Sequence, residues 1–326
     1  MSVKSYAQAI RDVLAEEMRS DENVFVMGED VAEQGGIFGC TRGLIDEFGA
    51  KRVRNTPISE AAFVGAGIGS ASCGMRPVVE LMYMDFTYVA MDQLLNQAAK
   101  MRYMFGGKAT IPMVVRGQQG IGRGNAGQHS QSVEAFFMHI PGMKVVMPSS
   151  AADAAGLLRT AIRDDNPVMF IEHKALYAST EEVPDDPEFM VPFGKANVVR
   201  EGKDVTLVAT HLYVGMGVEI AEELAEEGID VEVIDPRTLV PLDTKTMIRS
   251  VKKTGRAVVV HEGHRTAGVG AELASIMAEE AFIHLDAPIE RLGAKQCTLP
   301  FNLGLENAVV PQKEEIIQAI RKTMHQ

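Results

Sequence analysis

An α/β fold of two domains is predicted for this chain, and three observations carry it. Its 326 residues exceed what one small core needs and suit two domains of ordinary size. Short β-branched runs alternate with longer helical patterns along almost the whole chain, which is the signature of parallel sheets covered on both faces. The alternation breaks once, in the acidic and proline-rich "YASTEEVPDDPEFMVPFGK" from Tyr177 to Lys195, a composition that cannot continue a helix or a central strand. The expected division is therefore a first domain over residues 1–178, a linker over 179–203 and a smaller second domain over 204–326.

In the first domain the strand candidates are "NVFVMGED", "RPVVELM", "IPMVVRG", "MKVVMP" and "PVMFIEH", each short, β-branched and bounded by turn residues. Between them "MDQLLNQAAKMRYMF" and "SSAADAAGLLRTAIRD" carry helical periodicity. The second domain resumes with "DVTLVAT", a helix around "VGMGVEIAEELAEEG", then "IDVEVID", "KTMIRSVKKTG", "RAVVVHEG", "PIERLG" and a closing helix, "KEEIIQAIRKTMHQ".

A net charge of −12 and a pI near 5.2 argue against a nucleic-acid partner, which needs clustered Lys and Arg. Cys40, Cys73 and Cys297 are odd in number and form no CxxC pair, so they read as buried small hydrophobes in a reducing compartment. No apolar run approaches a membrane span, and the N-terminal stretch lacks a signal core; a cytoplasmic location is expected.

The stretch from Asn55 to Met75, "NTPISEAAFVGAGIGSASCGM", holds one charged residue, Glu60. A carboxylate buried alone loses several kcal/mol of solvation, about what a site must return through a partner or a held proton. Ser59 is an acceptable N-cap, so Glu60 is equally an acidic residue in a first helical turn, suited to the macrodipole; both readings stand. Gly65, Gly67 and Gly69 have GxGxG spacing without a preceding strand, unlike a dinucleotide fingerprint, and suit close helix packing instead, against a second copy or a related subunit. "GQQGIGRGNAGQHSQ", Gly117 to Gln131, reads as a loop at the carboxyl edge of the sheet, mobile or tightly turned, and its His129 is either a proton carrier or a plain hydrogen-bonding residue. His261 and His264 in "HEGH" lack metal-site spacing. "AIRDDNP", Ala161 to Pro167, is a helix stop or a turn able to hold a hard cation.

In order along the chain, "NTPISE", "GMRPVVELMYMDF", "MDQLLNQAAKMRYMFGG", "AGQHSQ", "GMKVVMPSSAADAAGLLRTAIRDDNPVMFIEHKALY", "VEVIDPRTLVPLD" and "VKKTGRAVVVHEG" closely resemble the β subunit of thiamine-diphosphate-dependent E1 dehydrogenases, the 2-oxo acid (pyruvate or branched-chain) and acetoin dehydrogenases. The resemblance implies an N-terminal pyrimidine-binding domain and a transketolase C-terminal-like domain. It implies that Glu60 hydrogen-bonds N1′ of the cofactor's aminopyrimidine and favours its imino tautomer. Phe86 would stack on that ring with Met82 and the strand of Glu80 as the adjoining wall, and His129 would serve the substrate channel. A potassium ion is implied at the turn, on Ala161, Ile162, Asp164 and Asn166 with Met113.

The family's Mg²⁺-binding GDG motif occurs nowhere in this sequence; "GED" at Gly28 to Asp30 is the nearest match. The resemblance therefore implies that an E1 α subunit holds the Mg²⁺ and the diphosphate, in an α2β2 assembly serving a lipoyl-bearing E2 acyltransferase. Other readings remain: a non-catalytic assembly scaffold, or a self-contained transketolase-like enzyme. Departures from the pattern are Val89, where some pyruvate-specific relatives carry glutamine, and "GAKQCTLPF" from Gly293 to Phe301. "RYMFGGKA" and "EHKALY" lean slightly toward acetoin dehydrogenase.

Overall fold

The computed structural model describes residues 1–325, and they divide into two compact units, residues 1–119 with 136–193 and residues 120–135 with those from 194 onward. In the first unit the elements run β1 (Ser2–Ser5), α1 (Tyr6–Ser20), β2 (Val24–Gly28), α2 (Leu44–Phe48), β3 (Val53–Asn55), α3 (Glu60–Ser72), β4 (Arg76–Glu80), α4 (Ala99–Met104), β5 (Val114–Gln119), α5 (Glu134–Met138), β6 (Lys144–Val146), α6 (Ala151–Arg163), β7 (Val168–His173) and β8 (Thr180–Val183). Its main sheet has the order β6-β7-β5-β4-β2-β3, and every pair in that series is parallel.

Every residue of β2, β5 and β7 is buried, as strands covered on both faces require. Ser5 and Gln8 form a capping box that starts α1, and Ser150 accepts from the Asp153 amide to start α6; each cap satisfies an amide the helix leaves free. The chain leaves β2 for β3 on one side and returns to β4 on the other. Such a reversal opens a crevice at the carboxyl ends of the strands, where ligands of α/β sheets collect.

The second unit contains β9 (Asn197–Arg200), β10 (Val205–Ala209), α7 (Leu212–Glu226), β11 (Val231–Asp235), β12 (Thr238–Val240), α8 (Thr244–Thr254), β13 (Ala257–His264), α9 (Val269–Ala281), β14 (Glu290–Ala294), α10 (Leu303–Val309) and α11 (Lys313–Met324). Its sheet order is β14-β13-β10-β11-β9, parallel except for β9. Its core joins Leu207, Val233 and Val258 of the sheet with Ile220 and Leu224 of α7 and Ile316 and Ile320 of α11.

The expected strands all form, and the differences lie where partners are remote in sequence. Residues 179–203, expected as a linker, hold β8, which pairs antiparallel with β1, and β9, which pairs antiparallel with β11. The loop 120–135 groups with the second unit because its amides are claimed there: Ile121 donates to Glu262 Oε1 at 2.8 Å and Gly122 and Gly124 to Glu306 Oε2 at 3.1 and 3.2 Å. It is thus tightly turned. The helix expected over Met91 to Phe105 opens as a π-type turn, Gln93–Ala98, before α4. Cys40 is buried as expected, but Cys73 and Cys297 are exposed; Cys73 follows the last turn of α3 on its outward side. No helix among the described residues is long and apolar enough to cross a membrane.

Candidate active site

Four neighbouring strands of the first sheet, β3, β2, β4 and β5, deliver acidic and aromatic side chains to its carboxyl edge. After β3 the chain turns through Thr56 to Ser59 and enters α3, with Glu60 as the first helical residue. Ser59 holds the N-cap position but its hydroxyl makes no capping bond. Glu60 is only 5 % exposed, and no hydrogen bond or ion pair reaches its carboxylate among the described residues. The helix dipole is available to it, yet a carboxylate serving only the dipole would stay in water.

Glu29, immediately after β2, lies beside it. It is 6 % exposed and its Oε1 has no hydrogen-bond partner. Burial, then the charges of Glu60 and Asp30, push its carboxyl up to about 7. Glu29 thus holds a proton near neutrality beside a second buried acid, a property that marks acid–base sites. Motif matching left Glu29 without a role; the available signal was its position, an acid directly following a wholly buried strand.

The wall on the β4 side is built on a buried ionic cluster. Arg116 of β5, 1 % exposed, donates to Glu172 through Nε to Oε1 and Nη2 to Oε2, both at 2.7 Å, and its Nη1 pairs with Glu80 Oε2. One guanidinium faces two carboxylates, so burial raises the Glu80 carboxyl above its ordinary range despite Arg116. Beyond Glu80, the Met82 carbonyl accepts from Gln118 Nε2, and a 3₁₀ turn over Met84–Tyr88 carries Phe86. Met82 and Phe86 are both half-buried, and Phe86 stands edge-on to Tyr83 with centroids 6.1 Å apart.

The other expected residues lie on other elements. His129 belongs to the second unit, half-buried in its loop, with its amide donating to Ala126 O at 3.4 Å. His261 is buried in a slot of β13 where Gly268 and Gly270 leave room for its ring, and burial followed by Arg291 lowers it to about 4. His264 instead meets the Lys295 carbonyl through Nδ1 at 2.9 Å. No group of three or more His, Cys, Asp or Glu among the described residues is arranged to hold a metal.

At the turn where potassium was expected, the oxygens already have partners. The Ile162 and Asp164 carbonyls accept from Arg76 Nη1 at 3.0 and 3.1 Å, and the Ala161 and Met113 carbonyls accept from the Asp164 and Val168 amides. The Asp164 carboxylate, held below its ordinary range, takes Lys144 and Asn166, and Asn166 Oδ1 takes Arg102.

Comparison with known proteins agrees with this architecture. Residues 2–180 match the family model "Transketolase, pyrimidine binding domain" and residues 194–316 match "Transketolase, C-terminal domain". A solved split-gene transketolase, described as an inactive beta4 tetramer, superposes with a TM-score of 0.79 over 98 % of both chains at 22 % identity, a likeness of fold. The pyruvate dehydrogenase E1 component subunit beta of Rickettsia felis is 48 % identical over 98 % of this chain and 97 % of its own length. That of Rhizobium meliloti is 48 % identical over 98 % of this chain and 70 % of its own. The acetoin:2,6-dichlorophenolindophenol oxidoreductase subunit beta of Cupriavidus necator is 46 % identical over 97 % of this chain and 96 % of its own. The chain belongs to the family of E1 component β subunits built from these two transketolase domains.

Proposed function

We propose that the chain is the β subunit of a thiamine-diphosphate-dependent E1 dehydrogenase which, with an α subunit, cleaves a 2-oxo acid or acetoin and reductively acylates the lipoyl group of an E2 acyltransferase. The observation that carries this reading is the buried, partnerless carboxyl of Glu60 with the orphaned Glu29 oxygen beside it. A site that leaves two such acids unpaired fits a weakly basic heterocycle able to share a proton with them. Thiamine diphosphate, when bound, supplies the carbanion chemistry that breaks a bond beside a carbonyl.

The chain's own groups divide the remaining work. Glu60 holds the ring nitrogen through a shared proton, and Glu29, pushed up to about 7 by burial and by the charges of Glu60 and Asp30, is a neighbouring group able to take up or release a proton near neutrality. Met82 and Phe86 form an apolar wall that orients the ring and excludes water. His129 serves as a proton carrier toward the acyl group. Nothing in this chain matches the GDG motif, and a diphosphate without a metal or basic clamp would be poorly neutralised. The α subunit is therefore the proposed holder of Mg²⁺ and diphosphate. The apolar rim agrees: Ile58, two residues before Glu60, is 83 % exposed, and Tyr88 and Val89 beside Phe86 are exposed too, as surface awaiting a partner is. Identities of 48 and 46 % leave pyruvate and acetoin level as substrates.

Glu60→Gln tests the assignment. The expected result is a fall in turnover of roughly 10² or more with the α2β2 assembly intact; near-normal turnover would return Glu60 to a helix-start role.

A further inference from the structure

Tyr177 follows β7 at the carboxyl edge of the first sheet and is 5 % exposed. Its hydroxyl donates to Glu172 Oε2 at 2.5 Å and lies 3.3 Å from Gln118 Oε1. Glu172 is itself fixed by the two 2.7 Å bonds from Arg116, so the hydroxyl is pinned from below. The phenol has one proton and the 2.5 Å bond gives it to Glu172, so the Gln118 amide is fixed by its own NH₂ donating to the Met82 carbonyl, with the pinned Tyr177 oxygen packed against its other end.

The ring of the same residue starts a second route. Phe38 stacks on it with centroids 4.7 Å apart and planes at 22°. Phe38 then meets Tyr83 edge-on at 6.3 Å, and Tyr83 meets Phe86 edge-on at 6.1 Å. Lys174, 1 % exposed, sits over the Tyr83 ring at 5.5 Å and limits its movement. The polar and aromatic routes end on Met82 and Phe86, the two residues of the pyrimidine wall, and they share Tyr177 alone.

We infer that Tyr177 is a positioning residue for the coenzyme: held in place by its hydroxyl's bond to Glu172, it backs the Gln118 side chain that bonds the Met82 carbonyl, and its ring sets Phe86 through Phe38 and Tyr83. This rests on the proposed function, because only a bound pyrimidine gives that wall its purpose. Tyr177 touches no coenzyme atom in this account. Its effect is on the affinity for a ring that needs both walls in register, since pre-set walls cost no ordering when the ligand arrives.

Two variants cut the routes separately. Tyr177→Phe keeps the stacked ring and removes the hydroxyl; Phe38→Leu keeps the hydroxyl and interrupts the ring relay. Each is assembled with the α subunit, and thiamine diphosphate with Mg²⁺ is titrated calorimetrically while the melting temperature of the coenzyme-free complex is recorded. The expected result for each is a coenzyme Kd raised by about tenfold, the size of one lost buried contact, with the α2β2 assembly intact; loss of the buried bond to Glu172 also lowers the coenzyme-free melting temperature of Tyr177→Phe by a few degrees. A Kd within about twofold of wild type, or a rise accompanied by loss of the assembly, would overturn the inference and make Tyr177 ordinary core. Glu60→Gln measured in the same complex keeps the two claims apart: its retained turnover sinks the proposed function, whereas its inactivity beside unchanged coenzyme affinity in both variants sinks only the role of Tyr177.

Discussion

Glu29 stands beside Glu60 in the proposed site. With its carboxyl raised from 4.5 to about 7, Glu29 holds a proton in the fold throughout a window where the unfolded chain has released it. The folded state then binds more protons than the unfolded state, so stability from this group is present below about pH 4.5 and is lost as pH rises to about 7. Glu29→Gln removes that slope. The variant is expected to melt higher than wild type at pH 8, by an amount worth up to a few kcal/mol, and to converge with it near pH 4; a wild-type advantage at pH 8 would mean the carboxylate has a stabilising partner. Glu60 was legible in sequence because it is the lone charge in an apolar stretch. Glu29 was not, because it sits in a polar turn and its burial comes from tertiary cover.

Helix α3 shows how far a glycine pattern can be read without its neighbours. Of Gly65, Gly67 and Gly69, only Gly67 is required by the chain's own packing: a Cβ there would stand 2.8 Å from Val79 Cγ2 and 3.0 Å from Met113 Cε. At Gly69 nothing lies within 4 Å, and at Gly65 the nearest atom is Gln93 Cγ at an ordinary 3.6 Å. Gly67→Ala is expected to destabilise the isolated chain by about 1–3 kcal/mol through overpacking. Gly69→Ala is expected to stabilise it by up to about 1 kcal/mol through helix propensity, and to weaken association if another subunit covers that face. Chemical denaturation of both variants checks the pair, and a neutral Gly67→Ala would show that α3 shifts without cost. The central strands were legible because each is short, β-branched and wholly buried. The β1–β8 pair was not, since "SVKS" and "TEEV" lack alternation and find each other across more than half the chain. The claim of the second unit on residues 120–135 was hidden for the same reason, as Glu262 and Glu306 lie far downstream.

At the scale of the whole molecule, the family and its two transketolase domains were legible as an ordered series of motifs, and the structure adds what holds them in place. At the turn where potassium is expected, Arg76, Lys144 and Arg102 each donate to one of the same oxygens. The absent GDG motif bears on the central claim that one polypeptide grips the coenzyme's ring and another its diphosphate. The most direct measurement is calorimetric titration of thiamine diphosphate with Mg²⁺ into the chain alone and into the chain assembled with its α subunit. The account predicts no saturable binding by the chain alone and tight binding by the assembly. Tight, Mg²⁺-dependent binding by the chain alone would contradict it.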